Sequence, residues 1–236
     1  MQTRTHRRNV LYGLIAAAGI VQFVVAVSIA ISHYPERYSL ASNFLSDLGR
    51  GVTHAGADNR TAATVFNGAI LCLGASLAPF FVVMPASLAF GRGAMSVLGI
   101  LTALGLAALG LTPYDRYEQA HYAALALWLG PLVLMVPLYL ASQAASGGVT
   151  RASFGAGAGL VLAAVLYAAV GGTSGAMLVQ KLVVAAAACW FACLVAGVSI
   201  ETYRSVATRQ QIADRQARRY LERMGDRLPL RARARD

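Results

Sequence analysis

Charged residues are scarce in this sequence, and their scarcity excludes most soluble folds. Asp, Glu, Lys and Arg make up 13% of the 236 residues, whereas they make up roughly 25% of a soluble domain. Hydrophobic residues make up 57%, and the mean hydropathy is +0.57. The length alone would suit one or two soluble domains. The long uncharged stretches instead predict a polytopic membrane protein.

Sequence motifs that would indicate a reaction are also missing. The chain has no Gly-x-Gly-x-x-Gly, no phosphate-binding loop, no His-Glu-x-x-His and no Gly-x-Ser-x-Gly. Its three cysteines, Cys72, Cys189 and Cys193, lie inside apolar runs, where thiols behave as small hydrophobic groups. Two thiols without further ligands are a weak zinc signal. We therefore expect no disulfide, no metal site and no cofactor.

Six stretches are long and apolar enough to cross a bilayer, for which a helix needs about 20 residues. They cover residues 10–31, 64–90, 94–111, 121–140, 154–170 and 176–200. We predict an all-α fold in which residues 1–200 form a bundle of six transmembrane helices. Pro79 and Pro85 predict a kink in the second stretch, which neighbouring helices can tolerate. Small residues such as Gly105, Gly155 and Gly159 indicate close helix packing inside the bundle, with a dimer face as the alternative.

One polar stretch, residues 38–49, separates the first two apolar stretches. Its apolar residues recur at three- and four-residue steps, which is the period of a helix. Leu40, Ala41, Phe44, Leu45 and Leu48 fall on one side, and Ser39, Ser42, Asn43, Ser46 and Asp47 fall on the other. We predict a short amphipathic helix that lies on the outward membrane surface and ends at Gly49. The alternative is a surface helix with a solvated polar face.

Basic residues are concentrated in the last part of the chain. Ten of the 20 Lys and Arg residues lie in residues 201–236, and the five acidic residues outside this tail lie in the loops after the first and third stretches. The positive-inside rule then predicts a multi-pass protein of the cell (inner) membrane with both termini in the cytoplasm.

The tail itself reads as a helix that continues from the sixth stretch and becomes disordered from Arg231 to Asp236. Its arginines favour anionic lipid head groups, and a coiled-coil partner is the alternative. Partners are therefore membrane lipids or other membrane subunits. No aromatic platform or fold supports nucleic-acid binding.

Polar residues near the outward side form the candidate site. The candidates for acid–base chemistry are Asp47, Asp115 and His121, because a carboxylate can orient and tune an imidazole. The candidates for holding a ligand are Asn43, Ser46, Asn67, Gln180 and Lys181.

Lys181 is the clearest of these candidates, because a charge inside an apolar helix is costly. It lies roughly 7 Å into the sixth helix at 1.5 Å per residue. Its side chain can snorkel back to the interface, or it can pair with Asp47 or, failing that, with Asp115.

His121 and Asn67 each have a structural interpretation as well. His121 begins the fourth stretch and can bond loop carbonyls instead of acting as a base or ligand held by Asp115. Asn67 lies one turn into the second stretch, where an asparagine usually bonds across helices.

Three short motifs resemble an uncharacterised prokaryotic membrane family, domain of unknown function 998, and more distantly the eukaryotic DRAM and Sfk group. They are Ser42-Asn-Phe-Leu-Ser-Asp-Leu-Gly49, Pro113-Tyr-Asp115 followed by His121, and Gly175-Ala-Met-Leu-Val-Gln-Lys181. The last is similar to a Gly…Gln-Arg element, with lysine in place of arginine. The resemblance covers about residues 8–200 and implies a six-helix bundle with an outer site.

The functional expectation is a protein that binds or processes a lipid head group at this outer polar site. Gln180 and Lys181 would hold a phosphate or carboxylate. The alternatives are a non-enzymatic accessory subunit of a membrane complex and a small-solute transporter. A transporter needs a polar path that continues to the inner side.

The predicted topology can be tested by labelling single cysteines in intact cells. We expect cysteines in the loops at Asp47 and Asp115 to react with a membrane-impermeant thiol reagent and a cysteine at Arg218 to be protected, because charge places the loops and the tail on opposite sides. The three native cysteines are first replaced by alanine. The reverse pattern would invert the orientation.

Overall fold

The computed structural model describes the backbone of residues 2–147 and 150–227 and the side chains of residues 7–85, 88–147, 150–197, 211, 212 and 214–221. Within these ranges the regular secondary structure is helical, apart from an isolated β-bridge between Val52 and Asp58. The six α-helices are α1 Gln2–Ser32, α2 Arg60–Val83, α3 Arg92–Leu111, α4 Glu118–Ala145, α5 Arg151–Ala169 and α6 Ala176–Arg227. Each contains a segment long and apolar enough to cross a membrane. The prediction of an all-α fold with six such helices is confirmed.

The second helix is shorter than predicted. It ends at Val83, and a 3₁₀ helix, Met84–Ser87, follows it. Pro79 lies inside α2, whereas Pro85 lies in the first turn of the 3₁₀ helix. Proline has no N–H to donate and its ring clashes with the preceding turn, which accounts for the change of helix type at this position. The predicted single span over residues 64–90 is therefore wrong at its end.

The predicted amphipathic helix over residues 38–49 is also wrong, because only Leu45–Gly49 is helical and forms one 3₁₀ turn. The predicted polar face is wrong as well, because Asp47 was expected on it and is only 5% exposed. Local side chains compete for the backbone donors that a helix would use. Asn43 Oδ1 accepts from Ser39 N at 2.9 Å.

The sixth helix runs 52 residues without a break, from Ala176 to Arg227. Its segment Ala176–Gly197 is long and apolar enough to cross a membrane, and the helix continues to Arg227, so the predicted helical tail continues directly from the sixth span. The side chains described in this extension, residues 211, 212 and 214–221, are all exposed. The predicted disorder of Arg231 to Asp236 concerns residues outside the described part of the chain.

The helices form an incompletely closed bundle. Each of α1 to α4 packs against the next in the chain, and α6 packs against α5 and against α1. The helix α5 contacts α4 less extensively, and α4 and α6 are not a closely packed pair. The lid, residues 33–59, covers one end of the bundle together with residues 112–117 and 170–175. We call this the lid end, and the opposite end, from which α6 continues, the tail end.

Large side chains fill the half of the bundle towards the tail end. Those with less than 2% of their surface exposed are Leu77, Phe80, Phe81, Met84, Leu88, Met95, Leu132, Met135, Leu160, Trp190 and Leu194. Because such interiors pack at crystal-like density, this half of the bundle is a rigid base for the lid end.

Glycines set the spacing of α3 from its neighbours. A Cβ added at Gly105 would lie 2.3 Å from the backbone nitrogen of Trp128, and one at Gly110 would lie 2.6 Å from the carbonyl of Asn67. By contrast, a Cβ at Gly155 or Gly159 would have nothing within 4 Å. The predicted packing of these two glycines inside the bundle is therefore wrong, because they face away from the other helices.

Gly105→Ala should separate α3 from α4, because backbone atoms cannot move aside as a flexible side chain can. We expect a loss of roughly 1–3 kcal/mol, the usual cost of overpacking, measured by thermal unfolding in mild detergent. Gly159→Ala is the matched control and should leave stability unchanged or slightly raised, because alanine favours a helix. Equal effects of the two changes would contradict the packing of α3 on α4.

Candidate functional site

Hydrogen bonds from the helices hold the lid against the bundle. Peptide groups that are buried away from water must be satisfied by protein groups. Side chains of α2, α6 and the α3–α4 loop supply the partners, and most of the sequence-predicted site residues take part.

Asp47 is buried inside the lid and is bonded within it. One carboxylate oxygen accepts from the backbone N–H of Phe44 at 2.8 Å. The other lies 3.1 Å from His54 Nε2, whose side chain is 62% exposed. Both oxygens therefore stabilise the 3₁₀ turn and the loop that follows it. Asp47 does not face the bundle interior as a free carboxylate.

Asn59 is the residue that sequence reasoning missed. It directly precedes α2 and is 1% exposed. Its amide nitrogen lies 2.8 Å from the carbonyl oxygen of Arg50, 3.3 Å from that of Leu48 and 3.4 Å from that of Asp47. An asparagine before an apolar run predicts a helix cap. Here the side chain makes no cap bond and instead holds three lid carbonyls.

Asn67 and Asp115 hold the next part of the lid. The amide of Asn67 donates to Gly49 O at 2.8 Å, and a Cβ at Gly49 would lie 2.4 Å from Asn67 Oδ1. The backbone N–H of Gly51 donates to Asp115 Oδ2 at 2.9 Å. Gly49 is therefore required for close approach to α2 and not for a left-handed helix end.

Gln180 and Lys181 hold the beginning of the 3₁₀ turn from α6. The backbone N–H of Leu45 donates to Gln180 Oε1 at 2.7 Å. The ammonium group of Lys181 donates to the carbonyl of Asn43 and, at 3.0 Å, to that of Met177. It also lies 5.7 Å from the centre of the Tyr38 ring.

The predicted ion pair between Lys181 and Asp47 is wrong, and so is the alternative pair with Asp115. Within the described residues, the ion pairs are Asp47 with His54 and Asp58 with Arg60. Lys181 instead uses backbone carbonyls and an aromatic face, which stabilise a cation without a full counter-charge. A sequence does not show where backbone carbonyls lie, so these partners of the Lys181 ammonium group could not be predicted from it.

His121 takes the structural role that was left open for it. Its Nδ1 lies 2.8 Å from the carbonyl oxygen of Thr112, which ties the start of α4 to the end of α3. The ring of Tyr114 meets it edge-on, with the centroids 5.7 Å apart. The predicted contact with Asp115 is wrong, because that carboxylate is directed to the lid.

Two tyrosines at the lid end stay protonated. Burial, and next the negative charge of Asp47, raise the pKa of Tyr38, whose hydroxyl donates to Phe44 O at 3.1 Å. Hydrogen bonds to Tyr122 and then Glu118 raise the pKa of Tyr114. Both phenols are therefore neutral donors near pH 7, and neither supplies a base.

A cavity of about 80 Å³ lies beneath the lid, among α1, α2, α3, α4 and α6. Its walls are mostly aliphatic and aromatic side chains, among them Phe23, Ile70, Leu106, Leu125 and Val184. At roughly 10–15 Å³ for each water-sized group, it has room for a chain of several methylene groups.

The cavity divides the eight predicted site residues into two sets. Ser46, Asn67, His121 and Gln180 line the cavity, whereas Asn43, Asp47, Asp115 and Lys181 do not. The Ser46 hydroxyl, His121 Nε2 and Asn67 Oδ1 form no hydrogen bond to any described residue, so they are polar groups still free to meet a ligand. The charged candidates are committed to the lid.

The arrangement does not assemble acid–base machinery. Neither carboxylate reaches His121, and Ser46 is not bonded to it. Among the residues described, no group of three or more His, Cys, Asp or Glu side chains is placed to hold a metal ion. The site is a shaped apolar space with a polar rim.

Comparison of the chain with protein-family models, with characterised proteins and with solved structures gives no match. The resemblance to domain of unknown function 998 therefore stays a prediction.

Asn59→Asp should release the lid, because a carboxylate would face three carbonyls without a proton to donate. We expect a loss of roughly 1–3 kcal/mol, the cost of unsatisfied buried groups, and faster tryptic cleavage after Arg50. Asp58→Asn is the control, since its pair with Arg60 is exposed and such pairs contribute little. Wild-type cleavage and stability in Asn59→Asp would mean that this amide does not hold the lid.

Proposed function

We propose that this protein is a multi-pass protein of the cell membrane that binds a membrane lipid and takes part of an acyl chain into the cavity beneath the lid. The supporting observation is the apolar cavity between helices that are long enough to cross a bilayer. Ligand sites are commonly concave and mainly apolar with a few convergent polar groups, and this cavity fits that description.

The polar rim suits the more hydrated part of such a lipid. Ser46 and His121 line the cavity and keep an unused hydroxyl and ring nitrogen. These groups can donate to or accept from an ester or a head group. The carboxylates and Lys181 are already bonded to the lid, which favours binding over catalysis.

We place the entrance to the cavity between α4 and α6. Both helices line the cavity, and their ring contact, Tyr139 with Trp190, lies outside its wall. His121 and Leu125 on α4 and Val184 and Ala188 on α6 are all only half-buried. A lipid can therefore enter sideways from the bilayer while the lid stays in place.

Filling the empty cavity provides the driving force for lipid binding. A lipid chain gains little hydrophobic free energy on leaving the bilayer, because both environments are apolar. An unfilled cavity, however, lacks the dispersion contacts that its walls would make with an occupant. Packing in the cavity therefore favours lipid binding, and the polar groups at its rim determine which lipid is bound.

The dense packing of the half of the bundle towards the tail end disfavours a transporter. Leu77, Phe81, Met95 and Trp190 are each less than 2% exposed, and the cavity does not extend among them. The arginine-rich tail supports the proposed orientation, with both termini in the cytoplasm and the lid outside.

Brominated lipid tests the binding directly, because bromine quenches indole fluorescence only at contact range and the chain has two tryptophans. Trp128 lines the cavity and is 6% exposed, whereas Trp190 does not line it and is 0% exposed. In vesicles of phosphatidylcholine brominated on its acyl chains, the Trp190→Phe variant should lose much of its emission. The Trp128→Phe variant should keep its emission.

The comparison is internally controlled, since each variant carries one buried tryptophan in the same fold. Circular dichroism verifies equal helix content. Equal quenching of both tryptophans, or none of Trp128, would contradict entry of a lipid chain into the cavity.

A further inference from the structure

The bond between Asn67 and the lid determines which end of its amide group remains unused. A carbonyl oxygen can only accept a hydrogen bond, so the atom 2.8 Å from Gly49 O is the amide nitrogen. The other end, Oδ1, forms no hydrogen bond to any described residue. Asn67 lines the cavity, and Oδ1 is not one of the unpaired atoms that are fully buried. The rim therefore carries an acceptor that keeps accessible surface.

The bond between His121 and the end of α3 has the same consequence for the imidazole ring. Its Nδ1 lies 2.8 Å from the carbonyl oxygen of Thr112, so Nδ1 carries the proton of the neutral ring. The second nitrogen, Nε2, then has a lone pair and no proton. His121 also lines the cavity, and its Nε2 is not one of the fully buried unpaired atoms. It is the second acceptor at the rim.

Other polar side chains of the cavity wall add no free group that can only donate. The oxygen of Gln180 accepts from the N–H of Leu45 at 2.7 Å, and its amide group bonds to the hydroxyl of Tyr167. The hydroxyl of Tyr114 donates to a carboxylate. Ser46 has a hydroxyl, which can donate or accept. Among the described side chains that line the cavity, the accessible unpaired groups are thus two acceptors and one hydroxyl.

We propose that the occupant is a lipid whose polar end carries two free hydroxyl groups, as a monoacylglycerol does, and that these hydroxyls donate to Asn67 Oδ1 and His121 Nε2. This inference rests on the proposed lipid-binding function and names the class of lipid. A choline head group or an ester has no O–H or N–H. It would leave both acceptors without a partner, which is costly away from water.

Primary ammonium groups can donate as well, but the charges near the rim disfavour a cation. Asp47 and Asp115 accept from the lid backbone and do not line the cavity. The guanidinium group of Arg50 lies 5.8 Å from the centre of the Tyr114 ring, and Tyr114 lines the cavity. A neutral hydroxyl avoids repulsion by this positive charge.

Two brominated probes separate hydrogen-bond donation from simple filling of the cavity. They are the octyl ether of glycerol with a bromine at the chain end, and the same molecule with both hydroxyls methylated. Each is added to vesicles of phosphatidylcholine, which has no donor, at mildly alkaline pH. The vesicles contain the Trp190→Phe variant, whose remaining tryptophan, Trp128, lines the cavity.

Quenching of Trp128 as a function of the probe concentration in the membrane gives the affinity of each probe. We expect the probe with free hydroxyls to bind roughly twentyfold more tightly than the methylated probe, as two net hydrogen bonds allow. Equal affinities would overturn the inference, and quenching by both probes would still support lipid binding. Quenching by neither probe would overturn the proposed function as well.

His121→Asn, made in the same variant, tests one of the two acceptors. The asparagine amide can still donate to the carbonyl of Thr112, but the acceptor at the position of Nε2 is lost. We expect the preference to fall to roughly fivefold, as one net hydrogen bond allows. His54→Gln is the matched control, because His54 does not line the cavity, and it should keep the full preference.

An unchanged preference in His121→Asn, or an equal fall in His54→Gln, would overturn the assignment of His121 Nε2 as an acceptor for the ligand. Circular dichroism verifies that both variants keep their helix content. The comparison of the two probes in the Trp190→Phe variant does not depend on either substitution, so it decides the inference even if His121→Asn does not fold.

Discussion

The structure depends on satisfying the peptide groups of the buried part of the lid, residues 45–51. A buried peptide group without a hydrogen-bond partner is costly, so protein groups must bond to this irregular backbone. Asn59, Asn67 and Asp115 bond to the second half of the lid, and Gln180 and Lys181 bond to the first half. Asn59 is the last residue of the lid itself, and the other four side chains come from α2, α6 and the α3–α4 loop, so the lid also joins helices that are distant in the chain.

This constraint decides what the polar residues can do. A side chain that satisfies a buried carbonyl or N–H cannot leave that partner to assist a reaction without exposing an unpaired group. Asp47 and Lys181 are therefore structural, although they are the most conspicuous charges in the sequence. Ser46 and His121 Nε2 are among the groups left over, and they belong to residues that line a mostly apolar cavity.

The sequence predicts the six apolar helices and their order, because length and hydropathy alone determine which segments can cross a bilayer. It predicts Lys181 as a costly residue that needs partners, but not the partners, since these are two backbone carbonyls and a tyrosine ring. The amphipathic pattern of residues 38–49 was misleading, because Asn43 and Asp47 bond to nearby backbone and stop an α-helix from forming. The cavity was not predictable at all, since a void depends on how five helices meet.

The void itself follows from the way in which the lid is attached. Towards the tail end, large side chains such as Phe81 and Met135 interdigitate without restraint from a loop. Towards the lid end, Asn67 and Gln180 reach across to the lid and fix the separation of α2 and α6 from it. Collapse of the walls onto the empty space would break these bonds, so the space stays open. A rigid, bonded lid and an apolar cavity are thus two results of the same polar attachments, so the lipid that we propose as occupant need not displace the lid.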